Sequence, residues 1–262
     1  IGGEKLFIKN VKPAREIVIP SAALKAPFSS IKLLANKECL ASVILRATHI
    51  AGKEVLEPVR TDPGLILNYS PKYWRTLDYE IFEWDRYPGI IFFDTRNYDV
   101  QDNFFRRMAY FVEKAGYKGR LLTNGELKGK HGYNAHDYSS QSMANFFNKA
   151  TELGFELNDE EELLKKILIH NGFFEVEGDK VKANEGSLVS ISQESEPWLR
   201  SNLLAHEGFH TIFFRDAEFR NYVSAVYYTM DPVSRDFLID YFKSQEDLGY
   251  DTNDSYLMNN EF

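Results

Sequence analysis

The spacing of hydrophobic residues changes period several times along the chain, and each change predicts an element. Gly89-Ile90-Ile91-Phe92-Phe93 is a short unbroken apolar run, read as a buried strand ending at Asp94-Thr95. Phe104, Phe105, Met108, Phe111 and Val112 then recur at helical spacing, and Ala115-Gly116 ends that helix. Gly119-Arg120-Leu121-Leu122 reads as a returning strand, so residues 86–123 are expected to form a βαβ unit. Before it, Glu16–Pro20 and Leu40–His49 read as strands, Ala51-Gly52-Lys53 as a turn, and the stretch near Val55 as a further strand. Pro63-Gly64 and Pro71 punctuate the residues between that strand and the βαβ unit.

After the βαβ unit, a helix is predicted from Ser140 to Leu153, with Asp137 or Ser139 as its cap. Asn158 caps the next helix, whose first turn carries Asp159, Glu160 and Glu161 at its positive end, and Asn171-Gly172 closes it. Phe173–Val176 and Lys180–Ala183 pair as a hairpin around Gly178-Asp179. Helix, helix, hairpin resembles a winged-helix unit, but its acidic character argues for a structural role rather than DNA binding. The remainder reads as helical. One helix starts at Pro197 and runs towards Phe214, another spans about 217–229, and a third starts at Asp231-Pro232. Gly249 interrupts, and Asn253 or Asp254 caps a last helix towards Phe262. The expected fold class is α+β, in three regions: a β-rich region 1–85, a central α/β region 86–190 with helix-hairpin additions, and a helical region 191–262.

Composition narrows the function classes. The chain has 262 residues, 44% hydrophobic and 27% charged, which is ordinary globular composition with enough length for a sizeable core. The formal net charge of -8 lacks the basic excess of a nucleic-acid-binding surface. No apolar run reaches the length of a membrane span. The single cysteine, Cys39, excludes an internal disulfide. The chain opens on Ile1 rather than Met, so we read it as processed or trimmed, with a lean towards an extracytoplasmic location. Gly125-Glu126-Leu127-Lys128-Gly129-Lys130 is one residue short of a phosphate loop and is followed by His131 instead of Ser or Thr. Asp94, at the carboxyl end of its strand, is read as a turn or helix cap, with a ligand contact as the alternative.

The chemistry concentrates in His206-Glu207-Gly208-Phe209-His210. Histidines four apart on a helix present both imidazoles on one face, one turn apart, where they can share one Zn²⁺. Glu207 lies about 100° round the helix. There it can take a proton from a zinc-activated water attacking a carbonyl, and pass it to the leaving amine. The flanks Leu203-Leu204-Ala205 and Ile212-Phe213-Phe214 are apolar, as an internal helix requires. Gly208 costs that helix about 1 kcal/mol.

This motif resembles that of the zincin metallopeptidases, which add a third protein ligand. Tyr256-Leu257-Met258-Asn259-Asn260-Glu261-Phe262 looks like the gluzincin ligand helix, in which an Asn-Glu pair supplies the glutamate; the resemblance implies a site of His206, His210 and Glu261. Asp216 is the alternative, in HExxHxxFxxD, although Phe213 stands where metzincins need a glycine. Glu218 is the third, and on a continuous helix it would lie about 12 Å along the axis from His210. A group stabilising the developing oxyanion is sought in the cluster His131, Tyr133, His136 and Tyr138, with His136 first and Tyr133 next; Tyr256 is a further possibility. The function expected is that of a zinc metallopeptidase acting on a peptide or protein. The alternatives are a zinc amidase on a non-protein or cell-wall substrate, or a non-catalytic binding protein on a zincin-like scaffold. Retention of Glu207 argues against the last.

Overall fold

The computed structural model describes residues 54–245 and 251–262, which belong to one compact unit. The strands expected at 16–20 and 40–49 and the turn at 51–53 lie outside the described residues. The architecture is mixed α+β. Among the described residues, eight α-helices accompany a five-stranded mixed sheet and a two-stranded hairpin.

The strands are β1 Val59–Thr61, β2 Tyr79–Trp84, β3 Ile90–Thr95, β4 His136–Ser139 and β7 Ser187–Ser192, ordered β1-β2-β3-β7-β4. β1 runs parallel to β2 and β3 parallel to β7, whereas β2–β3 and β7–β4 are antiparallel. The hairpin is β5 Phe174–Glu177 with β6 Lys180–Ala183. The helices are α1 Pro63–Ile66, α2 Tyr98–Val112, α3 Ser140–Leu153, α4 Asp159–His170, α5 Pro197–Arg215, α6 Ala217–Thr229, α7 Pro232–Ser244 and α8 Ser255–Glu261.

Period-two alternation explains the two cores. Ile81, Ile91, Phe93 and Leu188 point to one face of the sheet, where they pack with Phe105, Met108, Phe147 and Leu164 of α2–α4. Phe82, Ile90, Phe92, Val189 and Ile191 point to the other face and meet Leu204 of α5. β3 is covered on both sides, which is why its sequence is an unbroken apolar run.

The fold corrects several sequence-based expectations. Gly119–Leu122 is not a strand. Gly116 and Gly119 hold left-handed φ of 79° and 76°, and the Arg107 guanidinium donates to the Leu122 carbonyl, so this segment turns instead of pairing. The parallel neighbour of β3 is β7, reached only after α2, β4, α3, α4 and the hairpin. Val55 is not in a strand; it is buried, with its backbone N–H and C=O both bonded to the Tyr79 hydroxyl at 3.2 Å. The boundaries expected at 85 and 190 both cut one sheet, since β1 and β2 precede the first and β7 spans the second. Asp94 caps no helix: Asn97 caps α2, while Asp94 is buried against Arg200 and accepts from Gln193 Nε2 at 2.7 Å. No described helix is long and apolar enough to cross a membrane.

Candidate metal centre

The 19-residue helix α5 carries the histidine motif, starts with Pro197 in its first turn and packs Leu204 into the core. His206 and His210 lie on one side of it, their Nε2 atoms 3.0 Å apart. α8 brings Glu261 to the same place, with Oε2 3.8 Å from His206 Nε2 and 3.9 Å from His210 Nε2. Contacts with α5 and α6 hold α8 and the residue after it. Asn259 Nδ2 donates to Ser224 Oγ of α6 at 2.7 Å, Tyr256 meets Phe213 of α5 edge-on, and Phe262 meets Tyr227 of α6. Asp254 begins α8, accepting from Tyr256 N at 3.0 Å, as one of the two expected caps.

The donors suit a small divalent cation. Two imidazole nitrogens and a carboxylate oxygen are the zinc set, and bonds of about 2.0 Å in a tetrahedron separate ligand atoms by roughly 3.3 Å. The observed separations of 3.0, 3.8 and 3.9 Å bracket that value. His210 Nδ1 faces the Asn260 side-chain oxygen at 3.1 Å. An amide oxygen only accepts, so Nδ1 carries the hydrogen and Nε2 presents its lone pair to the site. His210 and Glu261 side chains are 5% and 10% exposed and His206 is 47% exposed, so the group opens to solvent past His206. Burial, followed by neighbouring His210, lowers the pKa of His206 and favours its neutral form.

The other two ligand candidates are engaged elsewhere. Asp216 caps α6, accepting from Glu218 N and Phe219 N at 2.9 and 3.0 Å. Glu218 sits in the first turn of the same helix, a favourable place for an acid.

Glu207 is 7% exposed. Its carboxyl, an oxygen of Asp137 and a ring nitrogen of His210 lie within 4.8 Å of one another. Burial first, then the charges of Asp137 and Glu113, push Glu207 well above the usual carboxylate range. Glu113, just after α2, is pushed the same way by burial and by Asp137, against the Tyr138 hydroxyl beside it. The site therefore gathers residues from the end of α2, from β4, from α5 and from α8.

The expected oxyanion cluster is only partly brought here. The sequence reads His131–Tyr138 as a loop, yet its last three residues enter β4, and alternation splits them. His136 and Tyr138 turn inward and stack with Phe105. His136 is 1% exposed, its Nδ1 pairs with Ser190 Oγ at 2.7 Å, and its Nε2 accepts from Tyr133 N at 3.1 Å. Gly132 is required there, because a Cβ would lie 2.7 Å from His136 Nε2. With both ring nitrogens occupied inside the core, His136 has no hydrogen to offer a substrate, which corrects its expected role. Tyr133 is half-buried, its ring between His136 and the Lys114 ammonium, 3.3 Å from the ring centroid. Asp137, on the alternate face, is the residue of this segment that reaches the histidines. The sequence suggests it only as a helix cap, a role that Ser139 takes. The signal is the period-two pattern of His136–Ser139, which four residues are too few to establish from sequence.

Across α5 from the histidines, Trp84, Phe92, Leu204 and Ile212 line an apolar cavity of about 280 Å³; neither histidine borders it. Set against family models, curated proteins and solved structures, the chain finds no match.

Proposed function

We propose that this chain is a zinc-dependent peptidase of the zincin kind, with the ion held by His206, His210 and Glu261. The observation that carries the reading is the convergence of these three residues, from two helices far apart in sequence, with their donor atoms 3.0–3.9 Å apart. When bound, zinc supplies Lewis acidity, which makes water a usable nucleophile near neutral pH and polarises a carbonyl. Glu207 is the proton carrier: it takes a proton from the attacking water and returns it to the leaving amine. Its burial keeps the carboxyl out of bulk solvent and its position in the middle of α5 fixes it beside the histidines. Asn260 orients His210 through Nδ1.

A peptide is favoured over a non-protein amide by the position of β4. Among the described residues it is an edge strand, bonded to β7 on one side only, and it packs against α5. An extended chain pairing with that edge would run past Glu207 and the histidines, its backbone held by strand hydrogen bonds.

The test is metal analysis of the purified protein with His210→Ala, Glu261→Ala and Glu207→Gln, followed by assay on a peptide library. About one zinc per chain is expected, lost in the first two variants and kept in Glu207→Gln, whose hydrolysis falls by about 10²–10⁴-fold. A parent that takes up no zinc, or a Glu207→Gln variant that cleaves normally, would sink the reading.

A further inference from the structure

Two arginines of α5 reach the two ends of β3. Near the start of the helix, Arg200 Nη2 donates to Asp94 Oδ2 at the carboxyl end of the strand. At the end of the helix, Arg215 Nη2 donates to the Pro88 carbonyl at 3.2 Å, just before the strand begins. The spans match. The arginines stand about 22 Å apart along the helix axis, at about 1.5 Å per residue. Pro88 and Asp94 stand about 20 Å apart along the strand, at about 3.3 Å per residue. His206 and His210 lie between the two pins. Leu204, packed with Phe92, Val189 and Ile191, adds an apolar contact, which has no preferred direction and constrains sliding little.

The inner pin is a poor stabiliser. Arg107, buried like Arg200, bonds through all three guanidinium nitrogens, to Glu161, Asn124 and the Leu122 carbonyl. Arg200 Nε and Nη1 and Asp94 Oδ1 are buried with no hydrogen-bond partner among the described residues. Burial lifts the Asp94 carboxyl to about 6 in spite of Arg200, so taking the charge out of water outweighs the pairing. A pair that adds little stability still has direction. Direction is what a metal site needs, since its ligands must be held to within about 0.5 Å.

We propose that the Asp94–Arg200 pair, with Arg215 at the far end, sets the register of α5 along β3 and so positions His206 and His210 against Glu261. All three are positioning residues, acting through the helix. The consequence for zinc rests on the zinc peptidase reading above; the register itself does not.

The experiment reads register and zinc affinity separately, at about pH 7.5, above the Asp94 titration. Spin labels are attached through Trp198→Cys on α5 and Leu153→Cys on α3, both exposed and on helices that cover opposite faces of the sheet, with Cys39→Ser removing the native thiol. Their separation is measured by pulsed electron resonance, and zinc affinity by competition with a chelating dye. In Asp94→Leu combined with Arg200→Met, an apolar pair, the urea midpoint should stay at or above the parent's. The label separation should shift or broaden by at least about 1.5 Å, one residue's rise along a helix. Zinc should bind at least about tenfold more weakly. A merely structural pair would do the reverse, lowering the midpoint and leaving register and affinity alone. Arg215→Ala, at the outer pin, should move both readings the same way by less, and it carries the test if the double variant does not fold. An unchanged label separation overturns the inference, and so does an affinity within about threefold of the parent's once the labels have moved. A parent that takes up no zinc overturns the proposed function, and the label separation then decides the register alone.

Discussion

His136 shows how one side chain can be chemically suggestive and structurally committed. It is buried between Phe105 and Tyr138, with both ring nitrogens bonded, and burial lowers its pKa from 6.5 to about 3. Between pH 6.5 and about 3 the unfolded chain binds a proton on this residue and the folded chain does not, so stability falls as pH is lowered through that window. Asp94 acts the other way. Burial, against the pull of Arg200, raises it from 3.8 to about 6, so between those values the folded chain is the first to take a proton and acidification adds stability. Comparing the parent with His136→Gln isolates the histidine, because Asp94 is common to both. Denaturant unfolding at several pH values from 6.5 to 4 should show stability rising less with pH, or falling with it, in the variant, its slope lower by up to about 1.4 kcal/mol per pH unit where one proton separates the two states. Equal slopes would mean that His136 titrates alike in folded and unfolded chains.

At the scale of elements, α4 is fixed at its start by a reciprocal capping arrangement. Asn158 Oδ1 accepts from Glu161 N at 2.7 Å, and Glu161 Oε2 accepts from Asn158 N at 2.9 Å. The same Glu161 carboxylate pairs with Arg107 of α2, both side chains 2% exposed. One residue thus ends a helix properly and joins two helices. Glu161→Ala should cost about 3–5 kcal/mol in denaturant unfolding, because it strands a buried guanidinium, whereas losing the cap alone would cost only about 1 kcal/mol. A loss near the smaller figure would mean that Asn124 and the Leu122 carbonyl satisfy Arg107 without it. The cap was legible in sequence, as were α2, α3, the hairpin and the helices from Pro197 onward, because caps and helical periodicity are local signals. The sheet was less so. The four-residue strand β4 is too short to declare a period against two histidines and two tyrosines, and the pairing of β3 with β7 depends on residues almost a hundred positions apart. At the site, the placing of His206 and His210 on one helix face was readable from their spacing, whereas Glu261 was sought only through the resemblance of its segment to a gluzincin ligand helix. Asp137 and Glu113 were not readable, since β4 and the end of α2 come together with α5 only in the folded chain.

At the scale of the whole molecule, the site joins the ends of the chain's helical part. α5 rests on the sheet through Leu204, while α8 makes fewer contacts, with α5 and α6 among its neighbours. Glu261 belongs to that weaker attachment and the histidines to the stronger one. A cation shared by them would bind only when α8 is docked, so binding and docking are the same equilibrium and the metal must stabilise the assembled form. Zinc at about 100 times its Kd should add about 2.7 kcal/mol, which for a chain of this size raises the Tm by roughly 5–10 °C in a thermal unfolding scan. A chelator should reverse the shift. The decisive comparison is Glu261→Ala. That variant keeps both histidines and should retain little of the zinc-dependent rise. If its Tm climbs with zinc as far as the parent's does, the ion is held without α8, and the third ligand must be sought on the Asp137 side of His210.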